Sequence, residues 1–161
     1  MTENVQRVLD SLGVPYEVVD CDPEFADTAA FCERYGFSPS ASANTIVVAS
    51  KKQPVKHCAC VALATTRLDV NHRVCDLLGV NKASFASADE TRAVTGMLIG
   101  GVTPFGLPED LPIYVDQRVT AAEWVILGGG DRSSKIRISP EVFRRLTQVE
   151  VVAGLAREIA A

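Results

Sequence analysis

The sequence predicts a mixed α/β fold of the α+β-like kind, with one domain over residues 1–161 and helices at its periphery. Three observations predict it. Segments of helical period, ended by Gly13, Gly36 and Gly79, alternate with short β-branched runs. Two of those runs, Thr45 to Ala49 and His57 to Ala64, are apolar on both faces, the pattern of a sheet covered on each side. Finally, 161 residues at 47% hydrophobic have the size of one core and contain no repeat, linker or low-complexity segment.

Met1 to Leu12 carries Val5, Val8, Leu9 and Leu12 at helical spacing with polar residues between, which predicts a docking helix and not a signal peptide. Gly13 and Pro15 break the pattern, and Tyr16 to Val19 reads as a short strand before the turn residues Asp20, Asp22 and Pro23. A second helix is predicted over Thr28 to Tyr35, with Gly36 as its cap. The Ser/Pro-rich stretch 38–42 leads into the strand Thr45 to Ala49, lysines and Pro54 make a hairpin, and His57 to Ala64 returns. From Asp69 a capped helix carries Val70, Val74, Leu77 and Leu78 to Gly79. Ala83 to Ala86 is a strand, and Ser87 or Asp89 caps a short helix through Val94. Further on, Leu111 to Val115, Trp124 to Leu127 and Lys135 to Ile138 read as strands, Glu141 to Leu146 begins a late helix, and Glu150 to Val152 is a final strand.

Charge and composition narrow the function. A formal charge of −4 and a pI near 5.2 argue against a long basic groove tracking nucleic acid, because phosphate neutralisation is the main source of such affinity. Any RNA contact is expected to be small, and DNA is not an expected partner. The five cysteines, Cys21, Cys32, Cys58, Cys60 and Cys75, cannot all pair within one chain and lack the framework of a secreted scaffold, which fits a reducing, cytoplasmic compartment. No uninterrupted apolar run approaches the ~20 residues that cross a bilayer, so no membrane partner is expected.

Several site motifs fail on inspection. Gly101 to Gly106 is followed by Leu107 and not by the Lys and Ser/Thr of a phosphate loop. Gly128 to Gly130 precedes a strand pattern where a dinucleotide site needs a helix, and reads as a tight hairpin. His57, Cys58, Cys60, His72 and Cys75 lack zinc-ligand spacing; buried core thiols are the preferred reading, and no metal or organic cofactor is expected. No serine lies in a Gly-x-Ser-x-Gly turn, so nothing points to a side-chain nucleophile.

The segment Gly96 to Gly106 is too rich in glycine for a regular element and too apolar for a solvent loop, which predicts that it lines something. The ordered set Asn44-Thr45-Ile46-Val47-Val48, Leu68-Asp69-Val70, Leu78 to Ala83, Thr95 to Gly106 and Leu111 to Asp116 resembles the YbaK/ProX-like deacylases. That family includes the editing insertion of bacterial prolyl-tRNA synthetase. The match runs from about residue 26 to the end, and its most telling part is the Gly-x-x-x-Pro of Gly100 to Pro104. The resemblance implies a central mixed, barrel-like sheet surrounded by helices. It also implies a pocket for the acceptor end of an aminoacyl-tRNA, plausibly a misacylated tRNA(Pro), with an aminoacyl-tRNA synthetase as a candidate partner. Hydrolysis would use water, positioned with help from a hydroxyl of the terminal adenosine.

In this reading Gly100, Gly101, Thr103 and Pro104 form the catalytic cradle. Glycine amides can reach an oxyanion without an obstructing Cβ, and Pro104 fixes φ. Spacing alone is matched equally by a glycine loop packing closely on a neighbouring strand. Where the better-studied branch carries a functionally central lysine, this chain has Asn44, whose neutral hydrogen bond contributes ~1 kcal/mol against ~1.5 to 3 for a charged one. The resulting penalty is ~10-fold. Lys135 stands where that branch can carry an aspartate, and strand alternation places it either in the pocket or in water. If it replaces the missing charge, Lys135→Ala should reduce deacylation much more than Lys52→Ala. Lys82, Asp116, Arg132, Ser133 and Ser134 are candidates for binding the substrate end. Asp116 reads equally as a turn cap, and residues 132–134 as a polar hairpin tip. With Asn44 uncharged, a catalytically quiet module for aminoacyl-tRNA ends or a partner synthetase is the rival reading. A hydrolase of small acyl esters is a third.

Overall fold

In the computed structural model, residues 1–159 are described, and their strands fall into three sheets. The first helix, α1 (Glu3–Leu12), starts where the Thr2 hydroxyl accepts the Val5 N–H and ends at Gly13, whose φ of 72° is the left-handed conformation that glycine adopts freely. β1 (Tyr16–Asp20) follows. After a 3₁₀ turn at Pro23–Phe25 comes α2 (Thr28–Tyr35), with the bounds expected from its pattern and Gly36 as its left-handed cap.

β2 (Ala43–Ser50) and β3 (His57–Leu63) form the predicted hairpin. β3 explains why its sequence is apolar throughout. Ala59 and Val61 enter one core with α1, whereas Cys58, Cys60 and Ala62 enter a second with Val74, Cys75 and Leu78. β4 (Thr66–Leu68) leads to Asp69, which caps a π-helical turn at Val70–Val74 that tightens into α3 (Cys75–Leu78). β5 (Ala83–Phe85) and α4 (Ala88–Thr95) follow, the latter capped by Ser87.

The C-terminal half supplies β6 (Ile113–Asp116), α5 (Gln117–Thr120), β7 (Val125–Gly128), β8 (Ser134–Ile138), β9 (Val149–Val152) and β10 (Ala156–Glu158). A mixed five-stranded sheet has the order β5-β2-β3-β6-β9, a three-stranded antiparallel sheet the order β1-β8-β7, and β4 pairs with β10. The mixed α/β class therefore holds, but the expected barrel does not close. Among the described residues one isolated parallel bridge, Ser42 to Ile126, lies between the larger sheets, just before β2. The expected late helix is a 3₁₀ segment at Pro140–Arg145.

α2 packs on the outer face of the three-stranded sheet through Phe31 and Cys32, against Cys21 and Ile126. Phe31 stacks on Phe37 at 5.3 Å between ring centroids, and Phe37 meets Trp124 edge-on, so these aromatics belong to a local core. All five cysteines are free and buried. The Cys58 and Cys60 thiols lie 3.8 Å apart, and the hydrogen bond between them, with burial, pushes the Cys60 thiol well above its ordinary pKa. Cys60 is therefore not a ready thiolate. Among the described residues no helix is long and apolar enough to cross a membrane, and no cluster of His, Cys, Asp or Glu is arranged to hold a metal ion.

Candidate active site

A cavity of ≈ 470 Å³ lies between the start of β2, the start of α2 and the glycine segment. β5 pairs only with Val48–Ser50, so the first half of β2 has an uncovered edge. The Ser42–Ala64 and Ser50–Lys56 bonds show that every second residue from Ser42 turns its main chain toward β3. Thr45 therefore turns its amide and carbonyl the other way, to the cavity side. Its buried hydroxyl has no partner among the described residues. Buried polar groups without partners are rare.

The start of α2 forms a second wall. Asp27 occupies its N-cap without a side-chain cap bond, and Thr28 and Ala29 line the cavity. The first amides of a helix have no intrahelical acceptor and carry partial positive charge. The Thr28 hydroxyl donates to Asn44 Oδ1 in a short hydrogen bond, which leaves the Asn44 NH₂ free to donate into the cavity.

The third wall is the glycine segment, and its peptide groups can be followed one by one. Ile99 carbonyl accepts from Arg132 Nη1 at 2.6 Å. Gly100 carbonyl accepts from Lys135 Nζ at 2.7 Å, and the amide of the same peptide, Gly101 N–H, donates to Leu98 carbonyl at 2.9 Å. Gly101 carbonyl accepts from Gly130 N–H at 2.8 Å. In a trans peptide the N–H points opposite to the C=O. Pinning the Ile99 and Gly101 carbonyls therefore aims the Gly100 and Val102 amides away from Arg132 and Gly130. Both residues line the cavity, and neither amide has a backbone acceptor among the described residues.

Lys135 settles the side that alternation left open. β8 lies between β1 and β7, with Ile136 and Ile138 in the main core, so Lys135 turns to the α2 side and is only 5% exposed. Its ammonium donates to Ala26 carbonyl at 2.5 Å as well as to Gly100 carbonyl, and lies 5.6 Å from the Phe31 ring. Burial lowers its pKa below the ordinary lysine value, and the Arg132 guanidinium adds to that, with Cys21 and Asp27 acting in the opposite sense. The lysine thus enters the cavity wall as a tie between the start of α2 and the glycine segment.

Of the residues singled out in the sequence, Gly100, Asn44 and Lys135 meet in the cavity. Gly101 lies behind it, where a Cβ would come within 2.3 Å of the Asp131 carbonyl, so this glycine serves close packing. Thr103 and Pro104 are buried behind the segment. Arg132 holds Asp27 at 3.1 Å and Pro23 carbonyl at 2.9 Å in addition to Ile99, fastening the rim. Ser133 N–H and Ser134 hydroxyl donate to Asp131 Oδ1 and close the β7–β8 hairpin. Lys82 is exposed beside the β2–β3 hairpin, lining a different hollow. Asp116 is fully buried at the end of β6, with Arg118 3.6 Å away and neither oxygen hydrogen-bonded. Among the lining residues, Thr28, Ala29 and Phe85 were not singled out by the sequence, whereas Ile99 and Val102 fall within the Gly96 to Gly106 segment predicted to line something. The Asp-Thr pair before a helical run could have flagged the first two.

The cavity lining contains no cysteine, histidine or serine; it offers main-chain groups, threonine hydroxyls, the Asn44 amide, the Asp27 carboxylate and the buried Lys135 ammonium. Fold and site thus define a mixed α/β protein with a cavity walled by the start of α2, the first half of β2 and the glycine segment. Residues 22–146 match the model of the aminoacyl-tRNA editing domain, and the chain belongs to that family. It is 24% identical over 147 residues to EbsC of Enterococcus faecalis, provisionally assigned as a Cys-tRNA(Pro)/Cys-tRNA(Cys) deacylase, with 89% of this chain and 87% of that protein covered. The solved structure of hypothetical protein APE2540 superposes with a TM-score of 0.84 at 24% identity, over 96% of this chain and all of the other (100%). A provisionally assigned trans-editing enzyme for prolyl-tRNA synthetase superposes with a TM-score of 0.79 at 23% identity, over 99% of each chain.

Proposed function

We propose that the chain hydrolyses the ester bond of a mischarged aminoacyl-tRNA, with a misacylated tRNA(Pro) as the substrate class. The observation that carries the proposal is the pair of amides, Gly100 and Val102, aimed by pinned carbonyls along one wall of the cavity. The acyl group sits between that wall and the uncovered edge of β2. Water attacks the carbonyl, and the tetrahedral intermediate collapses by breaking the acyl–ribose ester bond, the water's proton passing to the departing ribose oxygen to give the free amino acid and deacylated tRNA. The oxyanion that develops in between is received by the two amides. Because their directions are fixed before substrate arrives, no reorganisation is needed during reaction; one such donor contributes ~3 kcal/mol. Arg132 and Lys135 act as positioning residues, holding the carbonyls that orient the donors. Asn44 and the Thr45 main chain hold the substrate end, and a hydroxyl of the terminal adenosine assists the water. The volume of ≈ 470 Å³ accommodates an aminoacyl group with part of its ribose.

A second reading, a catalytically quiet module that recognises aminoacyl-tRNA ends, is favoured by one observation: Asn44 is neutral and the nearby ammonium is tied to two carbonyls. Deacylation measured across a panel of charged tRNAs separates the two. Turnover above the uncatalysed rate on at least one mischarged tRNA supports the enzyme; tight binding without turnover on any member supports the module. Within the enzyme reading, Asn44→Ala removes one neutral hydrogen-bonding group and should lower kcat/KM by about five- to tenfold. A loss beyond ~100-fold would place Asn44 in the chemistry itself.

A further inference from the structure

Two surface features, one lining the cavity and one further along β5, are not used by the chemistry above. The first is apolar. Phe85, the last residue of β5, is 55% exposed although it lines the cavity, and Ile99, 49% exposed, lines it too. An exposed aromatic lining a cavity offers a flat apolar face to whatever enters it.

The second feature is basic. The chain has only five lysines, and four of them, Lys51, Lys52, Lys56 and Lys82, gather where the β2–β3 hairpin meets the start of β5. Lys51 N–H donates to Lys82 carbonyl, and Lys52, Lys56 and Lys82 line one hollow. All four are exposed, and none makes a salt bridge among the described residues. On a protein with a formal charge of −4, such a concentration of unpaired positive charge is local and directional. From Lys82 to Phe85 is three strand residues, about 10 Å.

We infer that this strip is the path of a single-stranded RNA terminus. Phosphates lie over the lysine cluster, the last base stacks on Phe85 with Ile99 at its edge, and the acyl group attached to that nucleotide drops into the cavity. The inference rests on the proposed function and adds how the RNA is held: by one stacked base and a few phosphates, a mode that an acidic protein can use. Base-aromatic stacking tolerates any base face, and its loss by alanine substitution weakens binding about 5- to 150-fold per base.

The test uses binding, so that it stands apart from turnover. Two short RNA probes are compared by fluorescence anisotropy, one ending in adenosine and one identical but abasic at its last position. The wild-type protein should bind the first about tenfold or more tightly than the second. Phe85→Ala should erase that difference, Phe85→Trp should keep it, and Val151→Ala, an exposed apolar residue on β9 outside the cavity, should leave it intact. The double variant Lys52→Gln/Lys82→Gln should weaken both probes alike and reduce the slope of log K against log salt by up to about 1.4, or ~0.7 per phosphate contact. Equal binding of the two probes by wild type, or a difference that survives Phe85→Ala, overturns the inference. So does a concentration-dependent dimer that Phe85→Ala dissolves without any probe discrimination, since the apolar rim would then belong to a second copy. Discrimination that depends on Phe85, without deacylation of any charged tRNA, would keep the RNA path and reject the hydrolase reading.

Discussion

Gly100→Ala should lower kcat/KM for deacylation by roughly 100- to 1,000-fold, the range seen on losing an oxyanion donor. Gly100 has φ +93°, a conformation that L side chains rarely adopt, and a Cβ built there would lie 2.0 Å from Arg132 Nη1 and 3.0 Å from Asp27 Oδ1. Backbone strain of ~1 to 3 kcal/mol and the displaced guanidinium act on the same contact, the Arg132 to Ile99 bond that aims the Gly100 amide. The variant should therefore lose rate out of proportion to stability. Steady-state kinetics and thermal denaturation on the same sample measure both: a fall in kcat with KM within a few-fold is expected, with a Tm lower by several degrees. Unchanged kcat would remove Gly100 from the chemistry. By contrast, Gly36→Ala meets nothing within 4 Å and carries only the strain of φ +76°, so it should leave kcat unaltered.

Lys135→Met is the second large effect. Methionine keeps the buried, flexible shape but leaves the Ala26 and Gly100 carbonyls without their donor, at ~1 to 3 kcal/mol for each buried group left unsatisfied. Deacylation should fall by about 100-fold, and Lys135→Ala should fall at least as far. Lys52→Ala, which removes at most one phosphate contact, should lose only several-fold. Equal, small effects of Lys135→Ala and Lys52→Ala would reject a role for the buried ammonium. The pH dependence has a definite sign. Burial lowers the Lys135 pKa in the folded chain, so as pH rises the folded form loses this proton before the unfolded form does. Between the two values the unfolded chain binds more protons, and this residue makes stability rise with pH. Activity should move the other way, because the charged tie to Gly100 weakens. After subtraction of uncatalysed ester hydrolysis, kcat/KM should descend on an alkaline limb whose midpoint lies below the ordinary lysine value of ~10.4. That limb should be missing in Lys135→Met.

The fold was legible wherever a local rule acted alone. α2 has the bounds that its pattern and Gly36 prescribe, and β3 is apolar on both faces because it feeds two cores. Asp69, Ser87 and Gly79 sit where capping chemistry places them. Elements defined by distant partners were illegible. β4 and β10 are three residues each and exist through pairing between Leu68 and Ala156, far apart in the chain. Barrel closure failed for a related reason: among the described residues the larger sheets share only the isolated Ser42–Ile126 bridge, and no local signal reports whether two distant strands pair.

The site was half legible. Its glycines stood out, but their reasons differ: Gly100 is needed for its φ and for room beside Arg132, whereas Gly101 is needed for contact with Asp131, the packing alternative that spacing could not exclude. Lys135 could be assigned a side only once β1 and β7 were known to flank β8. Arg132 drew notice as a charge near a hairpin tip, yet its three bonds to Ile99, Asp27 and Pro23 join segments that only the fold brings together.

A crystal structure with a non-hydrolysable, amide-linked aminoacyl-adenosine bears most directly on the oxyanion site. The acyl oxygen should lie 2.7–3.1 Å from the Gly100 and Val102 amide nitrogens, the distance expected for oxyanion donors. An acyl oxygen turned toward solvent or Asn44, with both amides still unpaired, would contradict the account.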